Sequence, residues 1–186
     1  MSGAVVTGTT ADPVLPVCVA IDFETSGYEA GSACAIGLVR LEAGRVADRF
    51  STLLRPPSSR VLFTEIHGLT WAMLREAPVF ADIWPRVHAF LEGARWLLAH
   101  NAGFDRRVLY ACCKAAGVDR PPMPFLCTLK GARRSLPLPS RRLNSVCEYF
   151  GIPLRHHDAA SDAEACAHVY MRLRERGVSD AEMRLK

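Results

Sequence analysis

The sequence predicts an α/β fold built as one domain. Three short apolar segments, 17–25, 33–41 and 46–54, are separated only by turns, and segments spaced this closely form neighbouring antiparallel strands. From residue 62 to residue 176, helical and strand-like segments alternate, an order typical of helices that pack against a sheet. The chain has 186 residues, which is enough for one domain with a sizeable core.

The first predicted strand, 17–25 (VCVAIDFET), carries two acidic residues near its end. Side chains alternate along a strand, so Asp22 and Glu24 point to the same side, about 7 Å apart. Two carboxylates at the end of an apolar strand repel each other, and a divalent cation with oxygen ligands is the expected compensation. Taken alone, however, the pattern Asp-x-Glu more often marks a solvated strand end.

Turn and cap residues delimit the later elements. A turn at 42–44 joins the second and third strands, and Pro56 ends the third. Asn101 is a suitable N-cap for a helix that ends at Gly117. The remaining predicted elements are short helical turns at 64–67 and 70–75, helices at 80–91 and 102–116, strands at 95–99 and 125–127, a helical turn at 129–134, and helices at 143–150 and 159–176.

The predicted domain spans residues 17–176. Residues 1–16 are small, polar and punctuated by proline, which predicts a disordered lead-in, and residues 177–186 are expected to form a C-terminal tail. The net charge is +4 and most basic residues are arginines, a bias that permits a polyanionic partner without identifying one. The basic loop 133–142 is equally consistent with a solvated loop and with phosphate contact.

Cysteine usage and hydropathy indicate the compartment. The seven cysteines are odd in number and form no Cys-x-x-Cys pair, which favours buried free thiols in a reducing cytosol over zinc or disulfides. Residues 1–16 carry no basic residue ahead of an apolar run, so no signal peptide is expected. No apolar stretch approaches the roughly 18 residues of a membrane span. We therefore expect a cytoplasmic protein with no membrane partner.

Two further acidic residues open predicted helices. Asp105 lies in the first turn of the helix after the fourth strand, within HNAGFD (100–105). Asp162 lies in the first turns of the last helix, within HHDAASD (156–162), five residues after His157. Taken alone, each cluster is better explained by acids that stabilise a helix N-terminus or by solvated histidines.

Together these segments resemble the DEDD exonuclease superfamily, in its histidine-bearing branch, the group that contains the epsilon subunit of bacterial DNA polymerase III. The segments occur in the family's order over about 17–174, and the ordered set is far more specific than any single match. The stretch SACAIG (32–37) departs from the proofreading subunit and is closer to stand-alone exonucleases, which argues against polymerase association. The matching segments are DFET (22–25), IHGLT (66–70), HNAGFD (100–105), CTL (127–129), RLNSVC (142–147) and His-x4-Asp (157–162).

The resemblance implies a ribonuclease H-like fold, in which helices flank a mixed five-stranded sheet. It also implies two Mg²⁺ or Mn²⁺ ions, one held by Asp22, Glu24 and Asp162 and the other by Asp22 and Asp105. His157 would be the general base toward the attacking water, and its neighbour in the sequence would face elsewhere. The implied reaction releases nucleoside 5′-monophosphates one at a time from a 3′ end.

Five positions match residues that hold the terminal nucleotide in the family: Thr25, Gly27, Ile66, His67 and Phe104. The aromatic ring of Phe104 and the side chain of Ile66 could stack on a base of any identity, although core packing would explain both as well. The implied partner is a single-stranded DNA 3′ end, because a terminal nucleotide must enter a closed pocket. The sequence does not decide between DNA and RNA.

Two alternatives to a DNA exonuclease stay open. An exoribonuclease of the same superfamily, similar to RNase T or oligoribonuclease, would carry the same catalytic residues. A non-catalytic module that binds nucleic acid or a polymerase is the other alternative. Four intact acidic residues argue against the second, because a binding module would not concentrate negative charge beside phosphate.

Overall fold

A mixed five-stranded sheet organises the fold, and the predicted fold class is confirmed. The computed structural model of the protein describes residues 15–186. The first three strands form an antiparallel meander, and the last two run parallel to the first. The strands are β1 (Cys18–Thr25), β2 (Ala33–Glu42), β3 (Arg45–Leu53), β4 (Trp96–Ala99) and β5 (Phe125–Cys127), in the order β3-β2-β1-β4-β5.

The helices begin and end close to the positions predicted from the sequence. Asn101 occupies the predicted N-cap position in a left-handed conformation, with φ of 79° and no side-chain capping hydrogen bond, a geometry that asparagine tolerates. The helices are α1 (Thr64–His67), α2 (Trp71–Leu74), α3 (Phe80–Leu91), α4 (Ala102–Ala116), α5 (Thr128–Ser135), α6 (Leu143–Phe150), α7 (Ala159–Glu175) and α8 (Asp180–Met183).

Two apolar cores cover the two faces of the sheet. On β1, Val19, Ile21 and Phe23 pack in the core that α3 and α4 close, while Cys18 and Ala20 pack in the core that α6 and α7 close. This alternation is the period of a strand. Because it continues to the end of β1, the even-numbered acidic positions face the α7 side of the sheet.

The C-terminal segment packs against the sheet. Residues 177–186, expected as a tail, contain α8, and Met183 is fully buried. Leu126 on β5 bridges Arg184, and the Leu185 amide donates to the carbonyl of Phe125 at 2.9 Å. This segment therefore extends the edge of the sheet at β5. Of the predicted lead-in, 1–14 lie outside the described residues.

The cysteines are all buried and free, as predicted. Burial raises the pKa of the Cys112 thiol to about 11, so this thiol is protonated near neutral pH. Within residues 15–186, no helix combines the length and the hydrophobicity that a membrane crossing requires. The predicted cytoplasmic location stays a prediction.

Candidate active site

Three acidic side chains from two elements meet at the end of β1. Asp22 and Glu24 lie on the last residues of the strand, and Asp162 lies in the first turn of α7. Oxygen atoms from these three carboxylates lie within 4.8 Å of one another. The first two are neighbours because of strand alternation, whereas the third joins them because α7 begins directly beside β2.

The fourth predicted acid approaches from the other face of the sheet. Asp105 lies in the first turn of α4 and is only 2% exposed. Its Oδ1 accepts a hydrogen bond of 3.2 Å from the amide of Phe23, the residue between Asp22 and Glu24. The backbone of β1 thus links the fourth carboxylate to the other three.

Burial makes this cluster electrostatically costly. Desolvation raises the pKa of Glu24 to about 7, with further upward contributions from Asp162 and Asp158. Desolvation also raises the pKa of Asp105 to about 8, against the opposing hydrogen bond from the Phe23 amide. The pKa of Asp22 lies well above its ordinary value because of burial, then repulsion by Asp105. Burial also raises the pKa of Asp162.

The residues present fit hard divalent cations. Asp22, Glu24 and Asp162 supply only oxygen donors, which Mg²⁺ and Mn²⁺ prefer over softer ligands. A cation at this position would also relieve the desolvation and repulsion that raise the pKa values of the four carboxyls. A second group, formed by His156, His157 and Asp162, has donors within the same 4.8 Å spacing, but it mixes nitrogen with oxygen.

We expect the metal-free protein to lose stability as the pH rises. The carboxyl groups of Glu24 and Asp105 have ordinary pKa values of 4.5 and 3.8, and burial raises these pKa values to about 7 and about 8 in the folded protein. The native state therefore binds more protons than the unfolded state between about pH 4 and pH 8, and the unfolding free energy falls through that window. Tm measured in EDTA should decrease from pH 5 to pH 8.

Added Mg²⁺ should reverse this trend, because the metal competes with protons for the carboxylates. The increase in Tm on adding Mg²⁺ should be larger at pH 8 than at pH 5. The Glu24→Gln variant is the control, and its Tm in EDTA should depend less on pH. A Tm in EDTA that is constant or rises over this range would contradict the expectation.

Both histidines of the segment 156–162 lie beside Asp162. The Nδ1 atom of His156 is 3.2 Å from Oδ2 of Asp162, while His157 donates to the same oxygen through its backbone amide at 3.0 Å. The two rings stack with centroids 3.9 Å apart. The expectation that the residue before His157 faces away is therefore wrong. A positive φ of 67° at His157 turns the chain so that both rings stay at the site.

The two rings nevertheless line different cavities. His157 lines a cavity of about 310 Å³ together with Glu24 and His67, called the Glu24 cavity below. His156 lines a larger one on the side of Asp22. Burial first, and then repulsion by His156, lowers the pKa of His157. Its imidazole is therefore neutral at pH 7 and can accept a proton.

Of the five predicted nucleotide-binding residues, His67 lines the Glu24 cavity, and the other four are not among its lining residues. Thr25 is buried at the end of β1, and its carbonyl lies 3.3 Å from Nε2 of His67 on α1. Gly27 follows β1 and lies against Leu62. Ile66 is 51% exposed, so core packing does not explain it. Phe104 is half-buried against the core, with the Arg107 guanidinium 5.8 Å from its ring centroid.

Comparison with known proteins assigns the chain to a family. A family model described as Exonuclease matches residues 19–170. The chain belongs to this exonuclease family. The predictions of a DEDD-superfamily 3′–5′ exonuclease and of an enzyme rather than a binding module are thereby confirmed.

Relatives and solved structures agree with the assignment. The chain is 37% identical over 164 residues to the PolC-type DNA polymerase III of Thermotoga maritima. The aligned region covers 84% of this chain and 12% of the relative. The Bacillus subtilis protein of the same name is 33% identical over 164 residues, and the aligned region covers 83% of this chain and 11% of that protein. The chain thus spans about an eighth of the length of these relatives.

Two solved structures share the fold. A complex of exonuclease X with 5′ overhanging duplex DNA has a TM-score of 0.69 and 26% identity, covering 89% of this chain and 96% of that one. The nuclease domain of 3′hExo, a DEDDh family member bound to rAMP, has a TM-score of 0.77 and 20% identity. The match covers 95% of this chain and 98% of that one.

Sequence reasoning missed a glycine that positions α7 in the exonuclease. Gly37 on β2 pairs with Asp22 across the sheet. A Cβ at this position would lie 2.0 Å from the carbonyl oxygen of Ala159 and 2.8 Å from the amide nitrogen of Ala160. The bare backbone therefore allows the start of α7 to approach β2. The available signal was a glycine inside a strand, which often marks a close backbone approach.

Gly37→Ala should displace the start of α7 and move Asp162 away from Asp22. We expect about a 10²-fold loss in turnover, the scale of a 1 Å misplacement in a catalytic group, and destabilisation of about 1–3 kcal/mol from overpacking. Turnover and Tm check this prediction. Gly31→Ala is the matched control, because a Cβ there meets no atom of the described residues within 4 Å. Equal activity in both variants would show that the approach does not position Asp162.

Proposed function

We propose that the protein is a divalent-metal-dependent 3′–5′ exonuclease that prefers single-stranded DNA and releases nucleoside 5′-monophosphates. One observation carries the proposal: the carboxylates of Asp22, Glu24 and Asp162 meet within 4.8 Å. The fourth, Asp105, is tied to the same strand through the Phe23 amide. Four acids with raised pKa values, two of them buried and two half-buried, serve folding poorly, and such groups cluster at functional sites.

Asp22, Glu24 and Asp162 would hold one Mg²⁺ or Mn²⁺, and Asp22 with Asp105 the second. Two such ions supply positive charge at both the attacking water and the departing 3′-oxygen. His157 takes the proton from the water as its oxygen bonds to phosphorus. The bond from phosphorus to the 3′-oxygen breaks, and that oxygen gains a proton from solvent. The phosphate leaves on the 5′ side of the released nucleotide.

The terminal nucleotide would occupy the Glu24 cavity. The neutral ring of His67 lies at the backbone of Thr25, and Ile66 presents an exposed apolar side chain on the same short helix. These residues contact sugar and base without reading base identity. The preference for DNA agrees with the relative that shares 26% identity, exonuclease X, whose structure contains DNA.

Digestion of end-labelled oligonucleotides tests the proposal. Single-stranded DNA should yield mononucleotides with Mg²⁺ or Mn²⁺ and none with EDTA, and double-stranded DNA and single-stranded RNA should be cut more slowly. A 3′-phosphate should block the reaction and a 5′-phosphate should not. Efficient cutting of circular single-stranded DNA, or digestion that begins at the 5′ end, would overturn the proposal.

Independence from a polymerase partner, expected from residues 32–37, stays a prediction. The two relatives described above are named as polymerases, but this chain corresponds to 12% of the length of the Thermotoga maritima protein. All the residues to which the proposed mechanism assigns a role belong to this chain.

A further inference from the structure

A large cavity opens on the side of the carboxylates opposite to the Glu24 cavity. It has a volume of about 650 Å³ and is bounded by Asp22 and Asp162 on one side. Its other side is formed by Arg133, Arg141 and Arg142. We call it the arginine cavity. Arg141 and Arg142 lie in the loop between α5 and α6, whereas Arg133 lies in the last turn of α5. The predicted basic loop 133–142 is therefore helical at its start. The proposed mechanism assigns no role to these arginines.

The two cavities differ in charge. The Glu24 cavity is lined by two acidic residues, Glu24 and Asp158, and by no lysine or arginine of the part of the chain that the structure describes. The arginine cavity has three guanidinium groups. Within residues 15–186, no ion pair joins any of these three to an acidic side chain. Their positive charge is therefore available to a ligand.

The loop between α5 and α6 is held against the site by a hydrogen-bond chain through the half-buried ring of His100. The Nε2 atom of His100 lies 2.9 Å from the carbonyl oxygen of Arg141, and its Nδ1 atom lies 2.9 Å from Oγ1 of Thr128. A carbonyl only accepts, so Nε2 donates to Arg141. Burial lowers the pKa of His100 to about 4, so the ring is neutral and Nδ1 accepts from Thr128. This chain fixes the backbone of Arg141 beside the carboxylates.

One donor in the cavity wall lacks a partner. Nη2 of Arg141 donates to the carbonyl of Leu136 at 3.1 Å, but Nε of Arg141 is buried and has no hydrogen-bond partner among residues 15–186. A buried donor without an acceptor is unfavourable. Phosphate oxygens match the planar guanidinium fork in charge and geometry.

We propose that the arginine cavity binds the phosphodiester backbone of the nucleic acid chain on the 5′ side of the bond being cleaved. This inference rests on the proposed function. A terminal nucleotide brings only the scissile phosphate, whereas the chain behind it brings one phosphate per nucleotide. The Glu24 cavity therefore suits the terminal nucleotide, and the arginine cavity suits the chain of nucleotides behind it.

Binding measurements with substrates of two lengths test this inference. A dinucleotide carries only the scissile phosphate, whereas a twelve-nucleotide oligothymidylate also carries the upstream phosphates. Fluorescence anisotropy with Ca²⁺ in place of Mg²⁺ gives Kd for both, whether or not turnover occurs. The variant is Arg133→Gln/Arg142→Gln. Arg141 is left in place because its guanidinium also holds the Leu136 carbonyl.

The control variant removes the same charge elsewhere. Arg45 lies at the opposite end of the sheet from Glu24, where its backbone is in register with Glu42 on β2. Arg172 lies on α7 about 15 Å along the helix from Asp162. Both are exposed. The Arg45→Gln/Arg172→Gln variant therefore matches the net-charge change without touching the cavity.

We expect Arg133→Gln/Arg142→Gln to weaken binding of the oligothymidylate by about tenfold or more, and binding of the dinucleotide much less. The slope of log Kd against log salt should fall by about 1.4, because each phosphate contact on a single strand contributes about 0.7. An unchanged Kd for the oligothymidylate, an equal loss for the dinucleotide, or an equal loss in the control would overturn the inference. Wild-type turnover of the same oligothymidylate separately tests the proposed function.

Discussion

Asp22→Asn should reduce exonuclease activity by about 10⁴-fold or more, the scale on which the parts of one catalytic unit fail together. Asp22 is the residue that belongs to both proposed cation sites. Its carboxylate oxygens lie within 4.8 Å of those of Glu24 and Asp162, and repulsion by Asp105 contributes to its raised pKa. Loss of this charge would weaken both proposed cation sites. Single-turnover digestion of end-labelled single-stranded DNA with Mg²⁺ measures the effect.

The same substitution should stabilise the metal-free protein at pH 8. Asparagine has nearly the same shape but removes a desolvated negative charge that is repelled by four neighbouring carboxylates. Tm in EDTA should increase by about 2–4 °C for each kcal/mol gained, and Mg²⁺ should no longer raise it. Asp48→Asn, at an exposed site on β3, should change neither activity nor Tm. Near-normal turnover in Asp22→Asn would disprove the two-cation assignment.

The sheet could be predicted because its signals are local. The apolar segments before Thr25 and Leu53 and the turn at 42–44 define the meander without reference to the rest of the chain. Asp22 and Glu24 share a side because of strand alternation alone. Asp105 and Asp162 required the ordered resemblance, since nothing in a helix N-terminus indicates which strand end it will meet.

The features that the sequence did not reveal depend on tertiary contacts. Residues 177–186 are polar enough to suggest a tail, yet Met183 is buried. The position of the loop 136–142 depends on a hydrogen bond from His100 to the backbone carbonyl of Arg141, and such a contact has no pattern in the sequence that would predict it. The contact between His156 and Asp162 accompanies a left-handed backbone conformation at His157. That residue is not a glycine, so the sequence did not indicate the conformation.

Substitution of the two adjacent histidines should separate their roles. The resemblance assigns the base to His157, and the geometry supplies a reason. The backbone amide of His157 already satisfies Asp162 at 3.0 Å, so its ring is free to face the Glu24 cavity. The ring of His156 is instead held at Asp162 by its Nδ1 atom.

His157→Asn should therefore lower turnover by about 10²-fold or more, the usual contribution of a general base, while His156→Asn should cost much less. Asparagine tolerates the positive φ at residue 157, so the backbone and its amide contact should persist, and Mg²⁺ should still raise Tm. The wild-type rate should rise with pH below about 6.5, because the pKa of His157 is lowered from 6.5, and then reach a plateau. His157→Asn should lose that rise. Equal losses in the two variants, or a loss confined to His156→Asn, would assign the proton transfer to His156.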